Sequence, residues 1–286
     1  MTKFVIGIGS QRAGSTLLHK ILNNCTKIFM HPVKELHYYD TLFNVRNPSV
    51  LKSYSNRQLD LMLEKVINSK QFNFIDKRFK CSLRTNKILS SQPIDLVDYL
   101  DLYRPCIRES EYLGEITPEY MILPEKGIKK MCEDIGEDAK IILIGRNPVD
   151  RFISAFKLLK MYNNPHYDMV NFQTDMESTM INMPTWIEQQ DQLNDYEAAL
   201  RKYRKYFKNV LFFTYENLVK NPERIRFSLE AFLEMKLDTN IYQQILSEKV
   251  NTIGETGVIS EAMFAEFSKR YSNTLAFLNN YDVNDV

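Results

Sequence analysis

The run Phe4-Val5-Ile6-Gly7-Ile8, followed at once by Gly9-Ser10-Gln11-Arg12-Ala13-Gly14-Ser15-Thr16-Leu17-Leu18, constrains this chain more than any other stretch. The apolar run reads as a buried strand and the residues after Gly14 as a helix, so the two glycines bound a tight strand-to-helix turn. Such a turn gathers backbone N–H groups and the positive end of a helix dipole, which together hold an anion. The glycines stand at the spacing of the nucleoside-triphosphate loop G-x-x-x-x-G-K-[ST], but Ser15 takes the place of the Lys that reaches the outer phosphates. Arg12 supplies a cation inside the loop instead. The reading is a nucleotide-phosphate loop built for something other than ATP.

Further along, short apolar runs alternate with helical patterns. Strands are expected at Phe4–Ile8, Lys27–Met30, Tyr112–Ile116, Lys140–Gly145 and Asn209–Tyr215, and helices at Ser15–Asn24, Pro148–Met161, Asp195–Tyr206 and Pro222–Leu233. This predicts an α/β fold, a central parallel β-sheet flanked by helices. No repeat or linker divides the chain, so residues 1–286 are expected to form one domain. Two stretches interrupt the alternation: residues 48–108, mostly helical in pattern, and the polar residues 162–192. Insertions at the carboxyl ends of parallel strands commonly wall a substrate site. The last stretch, 250–286, reads as a loop and one helix over Glu261–Asn279.

Lys and Arg number 37 against 36 Asp and Glu, which gives no whole-chain electrostatic case for nucleic acid, so any anion site must be local. Cys25, Cys81, Cys106 and Cys132 lie far apart, without a C-x-x-C pair or a His at zinc spacing. They read as reduced thiols, and no metal is expected. The first apolar run is far shorter than the ~20 residues of a membrane span and lacks the parts of a signal peptide. A soluble, cytoplasmic protein with no membrane partner is therefore expected. No dimerisation signature speaks to oligomeric state.

Three more blocks carry chemistry. In Lys140-Ile-Ile-Leu-Ile-Gly-Arg-Asn-Pro-Val-Asp-Arg-Phe-Ile-Ser154 a strand ends at Arg146, Asn147 can cap a helix and Pro148 sits at its first turn. A nucleoside-triphosphate enzyme would place a magnesium-binding Asp at such a strand end; here the strand delivers Arg. His31-Pro-Val-Lys-Glu-Leu-His-Tyr-Tyr39 offers Glu35 and His37 as candidate general bases beside Lys34. Gly114-Glu-Ile-Thr-Pro-Glu-Tyr120 follows another strand.

Together with a late block, Asp195 to Phe207 and Val210 to Glu223, these segments resemble the sulfotransferases that use 3′-phosphoadenosine 5′-phosphosulfate (PAPS), nearest to the Golgi-type and bacterial branches. The resemblance covers most of the chain. It implies that backbone N–H groups of Ala13, Gly14, Ser15, Thr16 and Leu17, with the Ser15 and Thr16 hydroxyls, hold the 5′-phosphosulfate. It also implies that Arg12 neutralises the leaving oxygen and that Arg146 and Ser154 bind the 3′-phosphate. Glu35 matches the family's catalytic base, with Lys34 as second cation and His37 as the rival base. Arg151 is expected to orient its helix or pair with an acid, and Glu115 to pair with a core Arg or with backbone. The family's G-E-K-[ST]-P-x-Y carries a Lys where this chain has Ile116, and its basic adenosine loop should lie near residues 249–258, which hold little positive charge here. The expected reaction moves the sulfuryl group of PAPS in line to a hydroxyl or amine of a small-molecule, carbohydrate or carrier-bound acceptor, releasing adenosine 3′,5′-bisphosphate (PAP). A P-loop kinase of a small molecule and a catalytically inactive PAPS- or PAP-binding protein remain the alternatives.

Overall fold

A computed structural model describes residues 2–104, 106–107, 110–248 and 258–281. Strand β1 (Lys3–Gly9) leads through the glycine-bounded turn into helix α1 (Ser15–Cys25), and the short β2 (Phe29–Met30) follows. Next come α2 (Tyr38–Leu42), α3 (Pro48–Asn68) and α4 (Lys77–Ser91), then β3 (Tyr112–Ile116), α5 (Glu125–Ile135) and β4 (Lys140–Gly145). The second half holds α6 (Pro148–Asn163), α7 (Phe172–Asn182), α8 (Pro184–Gln192), α9 (Tyr196–Tyr203) and β5 (Asn209–Thr214). It ends in α10 (Tyr215–Lys220), α11 (Pro222–Leu233), α12 (Thr239–Ser247), α13 (Glu261–Arg270) and α14 (Ser272–Asn280).

The five strands form one all-parallel sheet in the order β2-β3-β1-β4-β5. After β1 the chain places β2 at one edge, inserts β3 between them, and then crosses to β4 and β5 on the other side, so the switch point lies between β1 and β4. In open parallel sheets ligands bind in the crevice beyond the carboxyl ends at that point. Here the crevice is bounded by the Gly9–Gly14 turn and by Arg146, which directly follows β4.

Alternation along the strands divides the core in two. Phe4, Ile6, Ile8, Leu113, Ile141, Leu143 and Phe212 face one layer of helices, while Val5, Ile116, Ile142, Ile144, Leu211 and Phe213 face α1, α11 and α12. A smaller cluster, Val149, Phe152, Phe156, Phe172, Met176, Ile187, Met263 and Phe267, joins α6, α7, α8 and α13. Residues 162–192, polar in sequence, thus contribute one apolar stripe that packs on α6.

Two elements differ from the sequence expectation. The second strand is only Phe29–Met30, because Thr26 Oγ1 accepts from Ile28 N at 3.1 Å and spends Lys27 and Ile28 in a turn. The expected helix over Glu261–Asn279 is two helices. Tyr271 leaves helical geometry at φ −101°, ψ 21°, with its hydroxyl held on Asp191 Oδ1 at 2.9 Å. Of the stretch expected to form the adenosine loop, 249–258, residues 249–257 lie outside the described residues.

Candidate active site

The turn after β1 has the form of an anion cradle. Gly14 caps α1 at φ 99°, a left-handed conformation that favours glycine, and an added Cβ would lie 2.8 Å from the Tyr215 ring. Leu18 N bonds Gly14 O, which leaves the N–H groups of Ser15, Thr16 and Leu17 at the helix start without an intrahelical acceptor. Ala13 differs from expectation: its N–H donates to Ser10 O at 3.1 Å and closes the turn. The turn is pinned from below, where Ser10 N donates to Ile144 O at 2.6 Å and Ser10 Oγ to Leu193 O at 2.7 Å.

Arg12, itself left-handed at φ 67°, donates from Nε to Ser154 Oγ at 3.0 Å. Arg146 Nη1 donates to Arg12 O at 3.2 Å, and its guanidinium lies over the Tyr215 ring. The structure therefore brings Arg12, Arg146 and Ser154 together from two segments, and among the described residues neither arginine has a carboxylate at ion-pair distance. Burial lowers the Arg12 pKa, the Arg146 charge lowers it further, and only Glu35 opposes them. Two cations placed together without a protein anion suit a polyanionic ligand.

Arg151 plays another part. It is fully buried and, among the described residues, pairs with no acid: it donates to Asn194 Oδ1, to Gln190 Oε1 at 3.1 Å, to Gln190 O at 2.9 Å and to Gln11 O at 3.3 Å. It ties the phosphate turn to the end of α8. Asn147 caps α6 by accepting from Val149 N, and Tyr196 Oη donates to Arg146 O at 2.8 Å. Tyr196 and Tyr215, which fix Arg146, escaped the sequence reading because a lone tyrosine in a helix more often simply packs.

Across the crevice, Glu35 (φ 65°) and His37 (φ 50°) also hold left-handed backbone. That conformation costs about 1 kcal/mol at each non-glycine residue, and such strain gathers at functional sites. Lys34 Nζ donates to Glu35 Oε1 at 2.6 Å, His37 Nε2 lies 3.5 Å from Glu35 Oε2, and His37 Nδ1 lies 2.6 Å from the buried Asp40 Oδ2. Glu119, receiving Gln11 Nε2 at 3.2 Å, stands 3.9 Å from His37. Burial pushes the Glu35 carboxyl up, but the His37 hydrogen bond and the Lys34 charge outweigh it and hold it below the usual carboxylate range. Burial opposes charge on His37, yet its bonds to Asp40 and Glu35 and the charge of Glu119 raise it to about 10.

Asp40 was missed in sequence, although its place three residues after His37 at a helix start was a readable pairing signal. Glu35, His37 and Glu119 offer ligand atoms within 4.8 Å of one another, a metal-sized grouping, in which Lys34 Nζ already sits on Glu35 and Asp40 on His37 Nδ1.

Glu115, fully buried, meets no arginine. It accepts from Tyr99 Oη at 2.7 Å, Tyr120 Oη at 3.0 Å and Thr117 Oγ1 at 2.7 Å, and from Leu36 N at 3.2 Å. Through Leu36 it fixes the backbone between Glu35 and His37. His31 is buried and bonded to Val33 and Leu102, as a backbone-satisfied loop histidine should be; His37 meets carboxylates instead. Ile116 is buried against Gly7 and brings no charge to the site.

Residues 5–239 match the profile of the sulfotransferase family. This chain belongs to that family. The donor of these sulfotransferases is PAPS, with PAP as product, and the chain is a sulfotransferase with the family's P-loop-like fold. Among solved structures it is similar to a sulfotransferase from Alicyclobacillus acidocaldarius, at 18% identity over 97% of this chain and 94% of that one, with a TM-score of 0.59. It is also similar to a sulfotransferase domain from the curacin biosynthetic pathway, at 16% identity over 99% of this chain and 94% of that one, with a TM-score of 0.50. Membership sets aside the kinase reading. No helix among the described residues of the sulfotransferase is long and apolar enough to cross a membrane.

Proposed function

We propose that the chain transfers the sulfuryl group of PAPS in line to a hydroxyl or amine, with Glu35 as general base. In this reading the start of α1 and Arg12 hold the 5′-phosphosulfate, and Arg146 with Ser154 binds the 3′-phosphate. The observation that carries it is the position of Arg12. It hydrogen-bonds Ser154, its carbonyl receives Arg146 Nη1, and the charge of Glu35 reaches it. A cation so placed stabilises the oxygen that gains charge as the S–O bond breaks, beside the group that takes the acceptor's proton.

Glu35 is preferred over His37 because His37 is held protonated by Asp40 and Glu35, and an imidazolium has no lone pair to offer. A carboxylate keeps acceptor capacity after bonding Lys34 and His37, so Glu35 can still receive an acceptor proton. Lys34 takes the role of second cation, which Ile116 cannot fill.

Thermal-shift titration with PAP and with ATP·Mg²⁺ tests the donor assignment, since a ligand of the native state raises apparent stability by mass action. A shift with PAP and little with ATP·Mg²⁺ is expected; the absence of a PAP shift would defeat the assignment. An acceptor screen on PAP-binding protein then separates an active enzyme from an inactive binding protein.

A further inference from the structure

Beyond the donor side, eight buried side-chain atoms among the described residues lack a hydrogen-bond partner. Five belong to elements that pack together: Asp40 Oδ1 and Thr41 Oγ1 on α2, Arg46 Nε on the turn after it, Ser55 Oγ on α3, and Glu119 Oε2 on the turn after β3. Orphaned buried polar atoms are rare in native proteins, so their gathering at one place needs a reason.

Arg46 is the cation of this group, and its backbone is fixed. Val45 N and Arg46 N both donate to Asp40 O, at 2.8 and 3.0 Å, and Asn47 starts α3 directly afterwards by accepting from Ser49 N at 2.9 Å. Asp40 is also the residue that holds His37 against Glu35, so the Arg46 backbone is anchored beside that pair. One and a half turns into α3 the Tyr54 ring is 43% exposed, with Arg57 following on the same helix. Burial raises the Tyr54 pKa, Glu35 raises it further, and Arg46 and Arg57 oppose, which puts all three charges within electrostatic reach of this ring. Among the described residues neither Arg46 nor Arg57 has a carboxylate at ion-pair distance.

The local charge is uneven as well. Among the described residues Lys34 and His37 meet Glu35, Asp40 and Glu119 at ion-pair distance, while Arg46 and Arg57 meet no carboxylate at that distance, and burial pushes Glu119 toward its neutral form. The site therefore has positive charge to spare on the side where the acceptor must enter, although the whole chain is near neutral.

We infer that the acceptor carries an oxyanion, a carboxylate or a phosphate, near the group that is sulfated. Arg46 and Arg57 bind this oxyanion, and the Tyr54 ring lies against the adjoining carbon skeleton. The planar guanidinium fork suits an oxyanion. The inference rests on the proposal that Glu35 marks the acceptor side.

The test uses the full chain saturated with PAP, so that the donor's phosphate sites are filled, and measures calorimetric affinity for three probes. Tyrosol is neutral, 4-hydroxyphenylacetate carries a carboxylate and phenyl phosphate carries a phosphate. At least one anion should bind about tenfold or more tighter than tyrosol, as a charge-assisted contact implies. Whichever anion binds better identifies the oxyanion. Arg46→Gln should bring the preference to within about twofold, Arg46→Lys should keep part of it, and Arg57→Gln, at an exposed position, should lower it about threefold. PAP affinity should hold in all three variants. Anions that bind wild type no tighter than tyrosol, or a preference that survives both glutamine variants, overturn the inference while leaving the donor assignment intact. A wild-type chain that fails to bind PAP overturns the donor assignment first, and this inference with it.

Discussion

Glu35 and His37, two residues apart in sequence, face each other at 3.5 Å, each on left-handed backbone. The chain must turn back on itself at Leu36 to achieve this, and Glu115, receiving Leu36 N, holds it there. The same contact holds the Glu35 carboxyl below and the His37 imidazole above its ordinary range, which drives the two titrations apart.

That contact has a pH signature in stability. His37 is raised from its ordinary 6.5 to about 10, so its contribution is fully present below pH 6.5 and is lost as pH rises toward 10. Glu35 is lowered, so its contribution is present above the ordinary carboxylate range and disappears as pH falls through the depressed value. Between pH 6 and pH 10 the wild type should lose about 2 kcal/mol more than His37→Gln, a figure reduced because Glu35 is partly exposed to solvent. Urea unfolding at the two pH values measures it, and equal losses in both proteins would remove the charged pair.

Replacing Glu35 by Gln keeps the shape and removes the proposed base. Turnover should fall about 10²- to 10⁴-fold, with PAP affinity changed less than about threefold. Steady-state rates with any active acceptor, alongside PAP calorimetry, check this. Near-wild-type turnover would move the proton acceptor elsewhere.

Much of this was legible in sequence, for stated reasons. The five strands read clearly because buried parallel strands are unbroken apolar runs, and the cradle read clearly because Gly9, Gly14 and Arg12 sit at fixed offsets from β1. The partners of charged residues did not. Arg151, expected to orient its helix or pair with an acid, found Asn194 and Gln190, some forty residues away, and Glu115, expected to pair with a core Arg or with backbone, found the Leu36 N–H and, beyond expectation, three hydroxyls. Such partners are chosen by packing of distant segments, which no local spacing encodes. The left-handed Arg12, Glu35 and His37 were equally silent, since nothing in a non-glycine residue announces positive φ.

Gly14 gives a backbone test of the cradle. Gly14→Ala would set a Cβ 2.8 Å from the Tyr215 ring at φ 99°, with strain of about 1–2 kcal/mol before any clash. The variant should be less stable and bind PAP at least about tenfold more weakly, because the N–H groups of Ser15 to Leu17 would shift with it. Trimming Tyr215 to Ala in the same chain should recover only part of the loss, as the conformational strain persists. Full recovery would assign the whole effect to the ring contact.

Arg146 and Arg151, five residues apart on one segment, should respond in opposite ways. Arg146 is half-buried, spends one hydrogen bond on Arg12 O and has no acidic partner among the described residues, so its removal leaves little unpaired inside the protein. Arg146→Ala should weaken PAP binding about 10- to 100-fold and move the melting temperature by no more than a few degrees. Arg151 is wholly enclosed and donates to four protein oxygens, so Arg151→Ala would strand the Asn194 and Gln190 acceptors and free the phosphate turn at Gln11. That variant should lose about 3–5 kcal/mol, while its folded fraction should lose less PAP affinity than Arg146→Ala does. Chemical denaturation and PAP calorimetry on both variants separate the roles. If Arg146→Ala unfolds the chain while Arg151→Ala leaves it stable but unable to bind PAP, ligand-binding and structural arginine exchange places.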